Sequence, residues 1–330
     1  MKIRPGVFLI ITAISALLIM SECKKENSII YNSQLPYAAV LTTFESARIL
    51  SASALCGGNI SSDGGFPITG RGVCWSTGPL PTTDCSTTSD GTGIGSFTSN
   101  INGLTPGTLY YLRAYATNLF GTSYGNTVTF ITSDGEAMDI DGNIYPTVNI
   151  GTQTWMAANL RVTHYRNGDS IPEIGIHDGI LWRNLTSGAY TGFMSDSYGK
   201  LYNWYAVIDN RDIAPTGWHV ATDTDWTILT DYAGGSGIAG DKLKAKYDWI
   251  TTYQGSDDSS DELRFSALGG SYMDTTSTGL WLGPGVNGYW WTSTENGSDA
   301  WGRSMQTLQS AVHRDSFYKN LGFSVRCIKD

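Results

Sequence analysis

The sequence predicts two folded modules, a mainly β sandwich followed by an α+β module. In the first half, short apolar strands alternate with turns such as Ser62–Gly65, Asp90–Gly93 and Pro106–Gly107. Short strands at regular turn spacing are typical of sandwiches. Ten of the eleven tryptophans and all four histidines lie beyond residue 136. This change in composition predicts a domain boundary near that residue.

The N-terminus predicts export. Lys2 and Arg4 precede an apolar run of 15 residues, Gly6–Met20, which suits the h-region of a secretory signal better than a bilayer-spanning helix. Cys23 follows, and the pattern resembles a bacterial lipoprotein signal, in which the thiol receives diacylglycerol. That signal normally has Gly, Ala or Ser where Glu22 stands, so an ordinary signal peptide or an uncleaved anchor is the alternative.

These features predict a signal peptide at 1–22 and a lipidated tether at 23–36. The resemblance implies an outer-membrane lipoprotein of the Bacteroidetes type, displayed at the cell surface and attached to the membrane through its N-terminal lipid.

The composition argues against several kinds of partner. The chain has a net charge of −9, and only 15% of its residues are charged. Apart from Lys24-Lys25 it has no basic cluster, so we expect neither a nucleic-acid partner nor electrostatic docking on anionic lipid. No Cys or His spacing indicates a zinc site, and we expect no metal or cofactor.

Four cysteines follow Cys23, namely Cys56, Cys74, Cys85 and Cys327. Cys74 and Cys85 are eleven residues apart, a spacing that suits a disulfide between neighbouring strands. Cys56 could instead pair with either of them, and the sequence does not choose.

The first module, residues 37–133, contains the segment Gly103–Tyr110, GLTPGTLY. It resembles the L-x-P-x-T-x-Y corner of fibronectin type III domains. The resemblance implies that the Tyr110 hydroxyl bonds back to the corner backbone and that Leu104 fills the sandwich. It also implies a spacer or a passive binding surface.

The second module, residues 137–330, has local signals for hairpins and two helices. Asp139 opens a D-x-D-G-N segment, but the twelfth position is Ile150 where a calcium loop needs Glu, so a hairpin is favoured. Apolar spacing predicts a helix over about 198–208. Thr222, with Asp225 three residues on, predicts the N-cap of a second helix.

Several sequence blocks of this module resemble the Fibrobacter succinogenes major paralogous domain over nearly all of 137–330. They are G-x-x-x-W-M-x-x-N-L (Gly151, Trp155, Met156, Asn159, Leu160), His164–Asp169, Gly199–Ala206, Ala214–Val220, Tyr289–Glu295 and Gly322–Cys327. The resemblance implies an exported and often lipidated protein without an established activity. Members commonly carry a cysteine after G-A-Y, but Tyr190 is followed by Thr191, which leaves Cys327 buried and unpaired or paired across modules. By analogy, the fold looks like a C-type lectin.

A recognition surface is expected between residues 295 and 320, where long polar side chains interrupt apolar blocks. Trp290 and Trp291 are adjacent in a predicted strand and so face opposite sides; we expect one to be core and the other to stack on a sugar ring. The candidate ligand-binding residues are Trp291, Glu295, Asn296, Asp299, Arg303, Gln306, Gln309, His313, Arg314, Asp315 and Tyr318.

We therefore expect a lipid-anchored display protein whose lectin-like domain binds an extracellular glycan or protein. One alternative is an extracellular enzyme acting on polysaccharide, which would need two carboxylates in an aromatic cleft. The sequence does not select the pair among Asp225, Asp257, Asp258, Asp261, Glu262 and Glu295, and no catalytic residue is assigned. The other alternative is a structural envelope component.

Overall fold

The computed structural model describes residues 38–192, 195–249, 259–274 and 285–330. Cys23, the predicted signal peptide and the predicted tether lie outside these ranges. The described fold is mainly β, as predicted for the N-terminal module, and the C-terminal module adds short helices to its strands. None of the helices in these ranges is long and apolar enough to span a bilayer.

Eight strands build an N-terminal sandwich: Val40–Thr43 (β1), Ser53–Ser62 (β2), Gly70–Ser76 (β3), Ser86–Thr87 (β4), Gly95–Asn102 (β5), Leu109–Asn118 (β6), Gly121–Tyr124 (β7) and Val128–Ile131 (β8). One sheet has the order β1-β2-β5 and the other β4-β3-β6-β7, with β8 also paired to β6. Alternating side chains of both sheets form the core, among them Ile60, Phe97, Val73 and Leu112.

The chain enters and leaves this sandwich at opposite ends. At the proximal end, Val40 lies opposite Ser62 and Gly70 lies opposite Thr117. At the distal end, β8 finishes at Ile131, and the Ser133 amide donates to the Leu50 carbonyl at 3.3 Å.

The predicted tyrosine corner is present at the distal end. The Thr105 amide donates to the Tyr110 hydroxyl at 3.1 Å, and Leu104 is buried in the core. The Tyr110 ring also stacks on Phe130 with centroids 5.7 Å apart.

The proposed disulfide between Cys74 and Cys85 is not formed, and both residues are free thiols. The strand register explains this result, because Thr87 and not Cys85 lies directly opposite Cys74. The Cys74 thiol instead donates to the Pro81 carbonyl at 3.4 Å, and burial raises its pKa to about 11. Cys327 is likewise a free, buried thiol.

The C-terminal module contains three further sheets and short helices. Its elements are Gly135–Met138 (β9), Ile144–Ile150 (β10), Gln153–Met156 (β11), Gly179–Arg183 (α1), Tyr190–Gly192 (β12), Lys200–Asn203 (β13), Trp204–Val207 (α2), Trp218–Val220 (β14), Asp223–Tyr232 (α3), Ala239–Leu243 (α4), Asn287–Asn296 (β15), Asp299–Gln306 (β16), His313–Tyr318 (β17), Gly322–Phe323 (β18) and Cys327–Lys329 (β19), with a 3-10 turn at Asp196–Tyr198. The sheet orders are β14-β19-β11-β10-β9, β12-β13-β18 and β15-β16-β17.

Two of the three local predictions are confirmed and one is wrong. Asp139 opens the turn of the β9–β10 hairpin, and Thr222 caps α3 through a complete capping box with Asp225. The predicted helix over 198–208 is a helix only at Trp204–Val207, because residues 200–203 pair with β12 and β18 as a strand.

A buried guanidinium joins distant segments of the C-terminal module. Arg326 donates to the Met156 and Phe265 carbonyls at 2.8 Å, to the Ser266 carbonyl at 2.9 Å and to the Asn159 amide oxygen at 2.7 Å. Burial lowers its pKa to about 9, so it is still charged at neutral pH. These bonds replace the water that a buried charge has lost.

Asp261 lies near this guanidinium in the 259–274 loop. Its carboxylate accepts from the Ser266 amide at 2.8 Å and from the Ser266 hydroxyl at 2.7 Å. Burial raises its pKa to about 6, although these bonds and the charges of Arg326 and Arg264 oppose the rise.

Replacing Tyr110 by Phe should lower the free energy of unfolding by about 1 kcal/mol, because the Thr105 amide loses its partner. Urea denaturation of the two proteins measures the change. Tyr111→Phe is the matched control, since the Tyr111 hydroxyl makes no hydrogen bond to any described residue. Equal losses of stability in the two variants would show that the hydrogen bond of the Tyr110 hydroxyl does not stabilise the fold.

Asp261 should make the protein less stable as pH rises from about 4 to about 6. In this window the folded chain holds a proton that the unfolded carboxyl, with a pKa of about 3.9, has released, so the free energy of unfolding falls and then levels off. Urea denaturation across this window should show that Asp261→Asn gains stability relative to the parent as pH rises. Asp231→Asn, at an exposed position, is the control. If the difference in free energy of unfolding between the parent and Asp261→Asn did not change with pH, the raised pKa of Asp261 would be contradicted.

Candidate functional site

The predicted recognition segment, 295–320, comprises the end of β15, the β16–β17 hairpin and the turn after it. In the register of β16 with β17, Trp301 lies opposite Ser316 and Asp299 lies opposite Tyr318. Directly opposite residues share one face of a sheet. We call this row the polar-aromatic face; its residues are Asn296, Asp299, Trp301, Arg314, Ser316 and Tyr318.

Asp223, the first residue of α3, fixes one end of this face. Its carboxylate accepts from Arg303 Nη1 at 2.6 Å and from Arg314 Nε and Nη2, both at 2.9 Å. Arg303 is 2% exposed, whereas Arg314 lies at the surface. One carboxylate therefore holds a buried and an exposed guanidinium together.

The charges of this cluster stabilise one another. Burial alone would raise the pKa of Asp223, but the hydrogen bonds from Arg314 and Arg303 outweigh it and hold the pKa below its usual value. Burial lowers the pKa of Arg303, and the bond to Asp223 raises that of Arg314. All three groups are therefore charged at neutral pH.

The rest of the face is also held in place. The Arg314 guanidinium lies 3.4 Å from the centroid of the Trp301 ring. The Asn296 side-chain amide donates to the Ser316 hydroxyl at 2.9 Å, and that hydroxyl donates to Asp299 at 3.3 Å. Tyr318 closes the row and is 69% exposed.

A cleft of about 390 Å³ separates α3 from the β16–β17 hairpin. Arg314 borders both this cleft and the polar-aromatic face. The other lining residues are Thr227, Thr230, Asp231, Ser236, Gly237, Arg303, Ala311, Val312 and His313. Within the described ranges, no three His, Cys, Asp or Glu residues are placed to hold a metal ion.

Trp291 cannot be the stacking platform, because it is fully buried. Alternation along β15 exposes neither tryptophan, because both faces of the strand are covered there. Trp291 stacks on Phe323 at 4.3 Å on one side, and Trp290 lies against Trp226 at 6.0 Å on the other. The prediction that Arg303 contacts a ligand is also wrong, because its guanidinium is buried and bonded to Asp223.

The remaining candidates form two other groups. Glu295 pairs with Lys319. Asp315 lies opposite Gly302, so it points to the other face of the sheet.

Gln306, Gln309 and His313 belong to the β16–β17 turn. The side-chain amide of Gln309 donates to Gln306 at 2.8 Å, and His313 Nε2 lies 3.1 Å from Gln309 Oε1. The eleven candidates therefore do not form one surface. Asn296, Asp299, Arg314 and Tyr318 share the polar-aromatic face, and Arg303, opposite Arg314, lies in the same row but is buried.

Sequence reasoning missed Trp301 and Asp223. Trp301 was visible, since it alternates with Asp299 and Arg303 in a strand pattern and so shares their face. Asp223 lies in the first turn of α3, where an acidic side chain is favoured by the helix dipole, and nothing local indicated its bonds to Arg303 and Arg314.

Asp225 and Asp261, two of the acids considered for the enzyme alternative, are engaged in local hydrogen bonds. Asp225 accepts from Thr222 in the capping box and lies 3.2 Å from His219 Nε2. Asp261 is bonded by Ser266. Asp257 and Asp258 lie outside the described residues.

Asp223→Ala should lower the free energy of unfolding by about 3 kcal/mol, because it leaves the buried Arg303 guanidinium without its counter-charge. Chemical denaturation gives the value. Asp231→Ala, on the exposed side of the same helix, should cost far less. Similar losses in the two variants would show that the network contributes no special stability.

Comparisons with known proteins give a family and several weak structural similarities. No curated protein matches the chain. The sensor domain of the anti-sigma factor RsgI4 from Pseudobacteroides cellulosolvens is 14% identical, with a TM-score of 0.23 over 29% of this chain and 95% of that chain. The fibronectin type III domain of human KIAA0970 protein is 17% identical, with a TM-score of 0.23 over 32% of this chain and 79% of that one. The chicken CNTN1 FN1–FN3 domains are 12% identical, with a TM-score of 0.22 over 48% and 43%.

TM-scores of this size do not support a functional comparison. The family match is of a different kind, because the profile of the Fibrobacter succinogenes major domain covers residues 148–329, more than half of the 330 residues. The chain belongs to the Fibrobacter succinogenes major domain family.

Proposed function

We propose that this protein is an exported, lipid-anchored envelope protein that displays a lectin-like ligand-binding domain on a sandwich spacer. The observation that carries the proposal is the polar-aromatic face, in which an exposed aromatic ring and a fixed guanidinium flank a row of amide, hydroxyl and carboxylate groups.

This face has the chemistry that a glycan requires. The exposed Tyr318 ring offers a flat apolar surface for the apolar face of a sugar. Asn296, Ser316 and Asp299 offer donors and acceptors for its hydroxyls. Arg314 is fixed between Asp223 and Trp301, so little side-chain entropy is lost when it binds a ligand.

The architecture supports a display role. The predicted lipid site precedes the sandwich. The chain enters the sandwich at its proximal end and leaves it at its distal end, where the C-terminal module follows. The lectin-like description rests on short strands, four short helices and an aromatic core, and is an analogy of fold.

A glycan array probed with the mature chain carrying Cys23→Ser tests the proposal. We expect binding to a subset of glycans and a loss of at least about tenfold in affinity for Tyr318→Ala or Arg314→Ala, since each removes more than about 1.4 kcal/mol of contact. Tyr247→Ala is the matched control, because Tyr247 is 63% exposed at a different place.

The outcomes separate the ligand classes. Retention of glycan binding in both face variants would overturn the assignment of this face. Absence of any glycan signal, together with capture of one defined surface protein that Tyr318→Ala abolishes, would support a protein ligand. Absence of both would favour a structural role.

A further inference from the structure

Exposed apolar side chains cluster at the proximal end of the sandwich. Leu119 is 77% exposed, Ile94 60%, Val40 57% and Phe120 52%. Phe66 joins them, with its ring edge-to-face on Phe120 at 4.8 Å. We call these five residues the apolar tip.

The topology brings them together from four separate segments. Val40 begins β1 opposite Ser62, and Ile94 precedes Gly95, which lies opposite Ile60. Leu119 and Phe120 form the β6–β7 turn, and Phe66 lies in the loop between β2 and β3.

Hydrogen bonds hold the loops of this end to one another. The Asn118 side-chain amide donates to the Asp63 carbonyl at 2.8 Å, and the Gly93 amide donates to the Ile68 carbonyl at 3.1 Å. The tip is therefore built into the fold and does not depend on a single loop.

The chain that leads to Cys23 joins the sandwich at this same end. Residues 24–37 number 14 and can span at most about 50 Å, so a lipid on Cys23 keeps the proximal end within that distance of a bilayer. The C-terminal module is attached at the distal end, where Ser133 bonds to Leu50.

We propose that the apolar tip inserts into the lipid bilayer that holds the anchor, which orients the sandwich upright on the membrane. This inference rests on the lipid anchor of the proposed function. Apolar side chains of amphipathic surfaces enter the boundary between headgroups and acyl chains to a depth of about 5–10 Å.

The contact is apolar and not electrostatic. The guanidinium of Arg71, which lies at this end, donates to the Gly93 and Ile94 carbonyls, both at 3.2 Å. Asp63 adds a negative charge. Binding should therefore be the same on zwitterionic and anionic bilayers and should not weaken with salt.

The test uses the full-length, lipid-modified protein in phosphatidylcholine vesicles. An environment-sensitive fluorophore is attached to Leu119→Cys in a Cys85→Ser background, since Cys85 is the exposed cysteine of the described sandwich. Leu80→Cys is the matched control. Leu80 is 66% exposed and follows β3, which ends at Ser76 opposite Tyr111 and therefore toward the distal end.

We expect a nitroxide just below the lipid headgroups to quench the fluorophore at position 119 several-fold more than at position 80. The difference should persist with anionic lipid and at high salt. Circular dichroism first verifies that both labelled proteins are folded.

Each contrary outcome has a separate meaning. Equal quenching at both positions, in protein that incorporates a labelled fatty acid at Cys23, overturns insertion of the tip and leaves the anchor intact. If the parent protein does not incorporate the labelled fatty acid, the anchor and the insertion are overturned together. A spectral shift at position 119 that depends on protein concentration, without vesicles, assigns the tip to self-association and overturns the membrane assignment.

Discussion

The charge of Arg326 is the interaction on which the C-terminal module depends. Its guanidinium is buried, so it must replace its hydration with protein oxygens, and it takes these from β11, from the Phe265–Ser266 loop and from Asn159. Asn159 in turn accepts from Trp290 and donates to the Tyr198 carbonyl. Arg326 and Asn159 therefore fix β15, the Phe265–Ser266 loop and the start of β19 relative to one another.

The polar-aromatic face is a consequence of this packing. Because both sides of β15 are buried around Trp290 and Trp291, most of the exposed surface of its sheet is carried by β16 and β17, with β17 at the edge. Asp223 then ties that edge to α3 through Arg303 and Arg314. The face is therefore held by hydrogen bonds at its Arg314 end, and Tyr318 is exposed at its other end.

The sequence predicts features whose partners lie within a few residues. The Tyr110 corner and the Thr222–Asp225 capping box are local, and both are present. Trp291 was misassigned because the two clusters that bury β15 come from distant segments. Arg303 was misassigned because Asp223 lies 80 residues before it. Strand alternation reports which residues share a face, but it does not report whether both faces are covered.

The placement of the two ends of the sandwich has a mechanical consequence. If the chain is pulled from both ends of the sandwich, the tension enters at β1 and leaves at β8, parallel to the strands. The hydrogen bonds of these strands run perpendicular to that direction, so they are sheared together and are not opened one at a time. Beyond the sandwich, Arg264 bonds to Asp134 at 2.9 Å and to the Thr132 carbonyl at 3.0 Å, so an ionic contact reinforces the covalent link between the two modules.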